Sequence, residues 1–176
     1  MYERYIEHVF PLAASVLPHR MDSIDAWRMV AAICLQESRF EYRRQIHGPA
    51  KGWAQFERIG VEDVCIHAAT RRPLRHALRQ LSYIKLADRL DDDDEYKREE
   101  AYTHLHGYLE ASDVLAILVA RLALWKLPDA LPSATEPDKG WAQYLEIWRP
   151  GKEKPHTWAA CWQAADDATA KHLMRA

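Results

Sequence analysis

Along this chain the apolar positions return mostly at intervals of three and four, in segments divided by proline, glycine and charged stretches. That period belongs to helices packed on a shared core. Tyr5, Val9, Leu12 and Val16 outline a first helix over residues 2–17, with Pro18 as its stop. A second helix is predicted over residues 23–40. Asp22 or Ser23 can cap it, and Asp25 suits the positive end of its dipole. One stripe of this helix runs through Ala26, Val30, Ile33 and Glu37, and another through Ile24, Trp27, Ala31 and Cys34. Apolar residues on both stripes predict a helix buried around much of its circumference. Residues 41–60, with Gly48, Pro49, Gly52 and Gly60, read as loop and leave room for a small β-ribbon near residues 45–57.

Further along, residues 61–90 read as helical with a break near Arg71-Arg72-Pro73. Leu74, Leu78, Leu81 and Ile84 are the expected core positions there. Asp91 to Glu95 is an unbroken acidic run inside a polar stretch that reaches Glu100. It lacks the alternating spacing and the glycine of an EF-hand loop, so it reads as solvated loop or helix start. Helical text resumes over residues 101–110. Ser112 and Asp113 can then cap a strong helix with Leu115, Leu118, Leu122 and Trp125 on one face. A proline-rich connection over residues 129–140 leads to a helix that Asp138 can cap and that carries Trp141, Tyr144, Leu145 and Trp148. Thr157 can cap a last helix through Trp158, Cys161, Trp162 and Ala165. No repeat interrupts this order. The expected fold is one mainly α domain over residues 1–176.

With 176 residues and 48% hydrophobic content, the chain can bury a substantial core. A formal net charge of −2 gives no global basic field, so no nucleic-acid partner is expected. Cys34, Cys65 and Cys161 have no metal-like spacing and read as reduced thiols. His104 and His106 would point to different faces of a helix, and no His-Glu-x-x-His is present, so neither metal nor cofactor is expected. The apolar run Val9–Leu17 is too short to span a bilayer and lacks the features of a secretory signal. The expectation is a monomer made in a cytoplasm, without stable membrane insertion.

Glu37 changes this picture. It continues an apolar stripe at the end of a helix, where burial and the negative end of the dipole both disfavour the carboxylate anion. A carboxylic acid kept protonated near neutral pH can protonate a leaving glycosidic oxygen. The plainer alternative is a glutamate that exits to solvent or pairs with Arg39, Arg43 or Arg44. The text that follows favours the first option. Glu37-Ser38, a loop, and then Gly52-Trp53-Ala54-Gln55-Phe56 resemble the goose-type lysozyme and soluble lytic transglycosylase superfamily. There, a Glu-Ser pair ends the catalytic helix and a Gly-Leu-Met-Gln type segment lines the sugar cleft. Arg121–Pro128 and Trp141–Lys152, with Trp158 and Trp162, resemble phage and prophage members. The matched blocks span roughly residues 26–60 and 110–165.

The resemblance implies an α+β lysozyme-like fold that cleaves the MurNAc-GlcNAc β-1,4 bond of peptidoglycan, with Glu37 as general acid/base. It implies substrate contacts at Ser38, Trp53, Gln55 and Phe56. The family's Ala-Tyr-Asn-Ala-Gly block finds its nearest text in Ala101-Tyr-Thr-His104, which makes Tyr102 the candidate for its cleft tyrosine. A phage or prophage protein of this kind would reach the periplasm or wall by release at lysis or on a virion.

A hydrolase would need a second carboxylate about 5–5.5 Å (retaining) or about 6.5–9.5 Å (inverting) from the first. Glu41, Glu57 and Asp63 are the options. A lytic transglycosylase manages with one acid, because the substrate's own acetamido group and 6-hydroxyl take the remaining roles. The single well-placed acid favours that reaction over a muramidase. The alternative from another class is a non-catalytic phage tail or wall-binding module of the same fold.

Overall fold

The computed structural model describes residues 2–173, which form one mainly α domain. Its helices are α1 (Glu3–Ser15), α2 (Ile24–Ser38), α3 (Arg58–Ile66), α4 (Arg71–Gln80), α5 (Ile84–Arg89), α6 (Glu95–Ala111), α7 (Asp113–Leu124), α8 (Pro137–Trp148) and α9 (Pro155–Leu173). The centre is α7, whose residues from Leu115 to Leu124 are all buried. Ser112 caps it by accepting from the Leu115 N–H at 3.3 Å. Helices α1, α2, α3 and α6 pack around it, and α9 lies along α2.

Helix α2 is built as its two apolar stripes require. Ser23 caps it, accepting from the Ala26 N–H at 3.2 Å, and Ala26 through Leu35 are all buried. One of those buried residues is Arg28, which is held by Asp25 and by Asp166 of α9, the latter at 2.6 Å. This pair of carboxylates lets a cation sit where α2 meets α9.

Several expectations shift. The buried face of α1 is Ile6, Phe10 and Ala13, one register from the expected stripe, and Leu12 is 56% exposed. In the next segment Leu74 and Leu78 are buried, whereas Ile84 is 55% exposed at the start of the short α5. Helix α6 begins at Glu95, inside the stretch that reads as polar loop. Asp94 caps it by accepting from the Tyr96 N–H. Ion pairs of Lys97 with Asp92, Arg58 with Glu99 and Arg89 with Glu100 line its first turns, in place of an apolar face. The anticipated β-ribbon reduces to two isolated bridges, Arg44 with Lys51 and Lys51 with Phe56.

The turn between these bridges depends on Gly52. Its φ is +74°, and a Cβ there would lie 3.0 Å from Ala116 Cβ and 3.1 Å from Leu109 Cβ. Only glycine meets both demands, so this turn sits directly against α6 and α7.

Candidate active site

The last turn of α2 ends abruptly. Arg39 and Phe40 both adopt left-handed backbone, with φ of 55° and 54°. Such conformations cost non-glycine residues roughly 1–3 kcal/mol each and persist only when the surroundings enforce them. Here the Phe40 ring stacks on Tyr5 at 5.3 Å and meets Trp53 at 5.6 Å, while its N–H donates to Ser38 Oγ at 3.2 Å. Ser38 Oγ in turn donates to the Trp53 carbonyl at 2.6 Å. The serine therefore stitches the end of α2 to the Gly52–Phe56 turn. The reversal stops the backbone from continuing over Glu37.

Glu37 faces a cleft of about 710 Å³ between the end of α2 and the first half of α9. Arg39, Glu41, Lys154 and His156 share its walls, with Tyr2 and Tyr42 nearby. Gln36 and Thr157 join the two helices there. Gln36 Nε2 donates to the Lys154 carbonyl at 3.0 Å, and Thr157 Oγ1 donates to Gln36 Oε1 at 2.9 Å. These bonds place Lys154 beside the carboxylate.

The Tyr144 hydroxyl, from α8, donates to Glu37 Oε1 at 2.5 Å. Burial raises the pKa of Glu37 above the ordinary carboxylate value. The Tyr144 hydrogen bond and the charge of Lys154 pull the other way and do not cancel it. Among the described residues Glu37 has no ion-pair partner within salt-bridge distance; its hydrogen-bond partner is a neutral phenol. Burial and the adjacent Glu37 push the Tyr144 hydroxyl well up, so it remains a donor at any physiological pH. The site thus holds a carboxyl group biased toward its protonated form, with one oxygen fixed and the cleft open beside it.

Tyr144 is itself held tightly. Its ring stacks on Trp158 at 5.3 Å and meets Trp141 at 5.2 Å. Trp148 Nε1 donates to the Ala54 carbonyl at 2.7 Å and Trp158 Nε1 to the Pro137 carbonyl at 2.8 Å, so indole anchors fix α8 against the turn and α9. Gly140 makes the close approach of α8 and α9 possible, since a Cβ there would fall 2.5 Å from the Trp162 ring.

The other predicted site residues are distributed differently. Ser38 borders the cleft, but it is 3% exposed and its hydroxyl is engaged internally. Trp53, Phe56 and Tyr102 are 2%, 6% and 5% exposed. A ring buried to that degree has no face to stack on a sugar, so their expected role as substrate contacts is corrected to packing. Gln55 folds back on its own turn, donating through Nε2 to the Gly52 and Tyr42 carbonyls at 2.8 and 3.0 Å. Its position shapes the turn and lies outside the cleft lining. The tyrosine at the carboxylate is Tyr144, not Tyr102. It shares a helix face with Trp141 and Trp148 inside the C-terminal block, and that spacing was the available signal.

Other options narrow as well. Among the three candidate second acids, Glu41 lines the cleft, Glu57 sits before α3, and Asp63 pairs with Lys126. Arg43 is occupied by Asp113 at 2.8 Å and lies 4.5 Å over the Trp53 ring. All three cysteines are free thiols, and burial pushes Cys34 well up, Cys65 up to about 12 and Cys161 up, which disfavours a thiolate nucleophile. Among the described residues no group of three His, Cys, Asp or Glu could hold a metal ion, and no helix is long and apolar enough to cross a membrane. In comparisons with known proteins, no family model, no curated protein and no solved structure matches this chain.

Proposed function

We propose that this chain cleaves the MurNAc-GlcNAc β-1,4 bond of peptidoglycan by a lytic transglycosylase-type reaction, as a phage or prophage lysin. The observation that carries the reading is Glu37: a carboxyl group whose burial favours its protonated form, held at one oxygen by Tyr144, at the wall of an open cleft. The resemblance of Glu37-Ser38 and Gly52–Phe56 to the superfamily's motifs supplies the substrate.

The chemistry runs in two proton transfers. Protonated Glu37 gives its proton to the leaving glycosidic oxygen as the C–O bond breaks. The substrate's acetamido group stabilises the developing positive charge at the anomeric carbon. The Glu37 carboxylate then takes the proton of the muramic acid 6-hydroxyl, whose oxygen bonds to the anomeric carbon and closes a 1,6-anhydro ring. Tyr144 keeps one oxygen of Glu37 oriented throughout, and Arg39 and Lys154 give the cleft cations suited to an anionic glycan. Glu41 on the same cleft supports a second reading, in which it activates water and the enzyme is a muramidase.

Mass spectrometry of products released from purified peptidoglycan tests both, with Glu37→Gln as control. Anhydro-muropeptides from wild type alone are expected. Reducing-end muropeptides would transfer the assignment to a muramidase using Glu41. No soluble product from wild type would overturn the enzymatic reading in favour of a wall-binding or structural module.

A further inference from the structure

Far along the chain from Glu37, the sequence between Asp63 and Asp88 carries five cations, Arg71, Arg72, Arg75, Arg79 and Lys85, and no carboxylate, although the whole protein is slightly acidic. Helix α4 gathers four of these into one place. Arg71, Arg72, Arg75, His76 and Arg79 wall a pocket of about 400 Å³, with Asp91 at its edge. Helix α4 packs on α3 and α5, whereas the Glu37 cleft is formed by α2 and α9.

Two of the four guanidinium groups are fixed by the protein. Arg75 donates to the carbonyls of Leu90, Arg71 and Cys65 at 2.6, 2.9 and 3.1 Å and pairs with Asp91. Arg79 pairs with Asp88 at 2.9 Å and with Asp91 at 3.7 Å. The other two are left over. Among the described residues, the side chains of Arg71 and Arg72 make no hydrogen bond or ion pair, and both are exposed. They also stand in the first turn of α4, the end of a helix where cations are disfavoured. Four arginines against Asp88 and Asp91 leave a net charge of about +2 before His76 is counted. Repulsion among these groups is relieved by an anion that accepts several planar N–H pairs at once, and phosphate oxygens match guanidinium geometry in this way.

The geometry points to the α4 pocket as a binding site for a phosphate-ester group, with Arg71 and Arg72 as its free donors and Arg75 and Arg79 as its fixed floor. The group can come from a soluble phosphate ester or from a phospholipid headgroup, and the chemistry recognised is the same. The site is independent of the glycosidase reading.

Binding of pyrophosphate, measured by calorimetry at low salt, and co-sedimentation with phosphatidylglycerol vesicles against phosphatidylcholine vesicles test it. Saturable binding to at least one phosphate probe is expected. Arg71→Gln/Arg72→Gln should weaken it about tenfold or more, with a melting temperature that does not fall. Arg4→Ala, an exposed arginine on α1, should leave it intact. Pyrophosphate binding would identify a soluble source, and binding only to phosphatidylglycerol vesicles a headgroup. Absence of binding to both probes would overturn the site, and so would equal loss in Arg4→Ala or full retention in the double variant.

Discussion

The two ends of α2 treat a buried ionisable side chain in opposite ways. Near the start, Arg28 is 5% exposed and is met by two carboxylates, Asp25 and Asp166, so its desolvation is offset by ion pairs and hydrogen bonds. At the other end Glu37 is pushed toward its neutral form and receives a phenol as its hydrogen-bond partner. Both groups share one helix and both lie against α9. A buried charge that is fully matched holds structure together. A buried acid left without an ion-pair partner is costly to ionise, so it keeps its proton to higher pH than an exposed carboxyl group does. The contrast separates a matched ion cluster at one end of the helix from an unmatched acid at the other, and the proposed chemistry rests on the second.

The largest effect that can break this contrast is at Glu37. Glu37→Gln should lower turnover on peptidoglycan by about 10²–10⁴-fold, the range expected for losing a general acid, while the melting temperature does not fall. Retained turnover, assayed on purified sacculi, would remove the chemical half of the comparison. The converse change is Asp25→Asn/Asp166→Asn, which leaves Arg28 buried without a carboxylate. Breaking a buried pair in this manner costs about 3–5 kcal/mol. Denaturant unfolding should record that loss, and the activity of the remaining folded protein should be close to wild type. A small stability change would mean that Arg28 reaches water and that the two ends are less different than their burial implies.

The half of this contrast that was legible in the sequence is the local half. The stripe Ala26, Val30, Ile33 and Glu37 places the acid on an apolar helix, and the helix runs from Ile24 to Ser38, within the limits its caps and apolar pattern set. What lies opposite Glu37 is a tertiary fact. Tyr144 is 107 residues away, and periodicity identifies the face it shares with Trp141 and Trp148 without revealing what that face meets. The aromatic residues after Gly52 failed as site residues for a related reason. A Trp or Phe that packs a core and one that stacks on a sugar are the same residue type, and only burial separates them. Trp53 sits between Tyr5 and Phe40, and Phe56 sits against Trp148. The start of α6 is not marked by the apolar pattern, because charge pairs, not an apolar stripe, line its first turns.

Tyr144→Phe sharpens the comparison with a smaller effect. The ring and its stacking on Trp158 remain, so the fold should be retained. Losing the hydrogen bond frees the carboxyl group to rotate, and kcat/KM should fall about tenfold. That hydrogen bond also lowers the pKa of Glu37, so its removal should carry the alkaline limb of the pH–rate profile to higher pH. Asp25→Asn/Asp166→Asn should leave the limb in place. A tenfold loss without a shifted limb would make Tyr144 a packing residue.

The smallest effect is thermodynamic and needs no substrate. Because burial raises the pKa of Glu37 in the folded state, the folded protein binds this proton more tightly than the unfolded chain. Its contribution to stability is fully present below the unfolded value, about 4.3 for a glutamate. It is lost as pH rises through the higher folded value, because the carboxylate must then be ionised inside the fold. Glutamine cannot ionise. The melting temperatures of Glu37→Gln and wild type should therefore differ least at acid pH and separate across that window, with the variant rising relative to wild type toward neutral pH. A difference that stays flat from acid to neutral pH would show that Glu37 ionises as easily in the fold as in water. The end of α2 would then hold an ordinary carboxylate, with no bias toward the protonated form that general-acid chemistry requires.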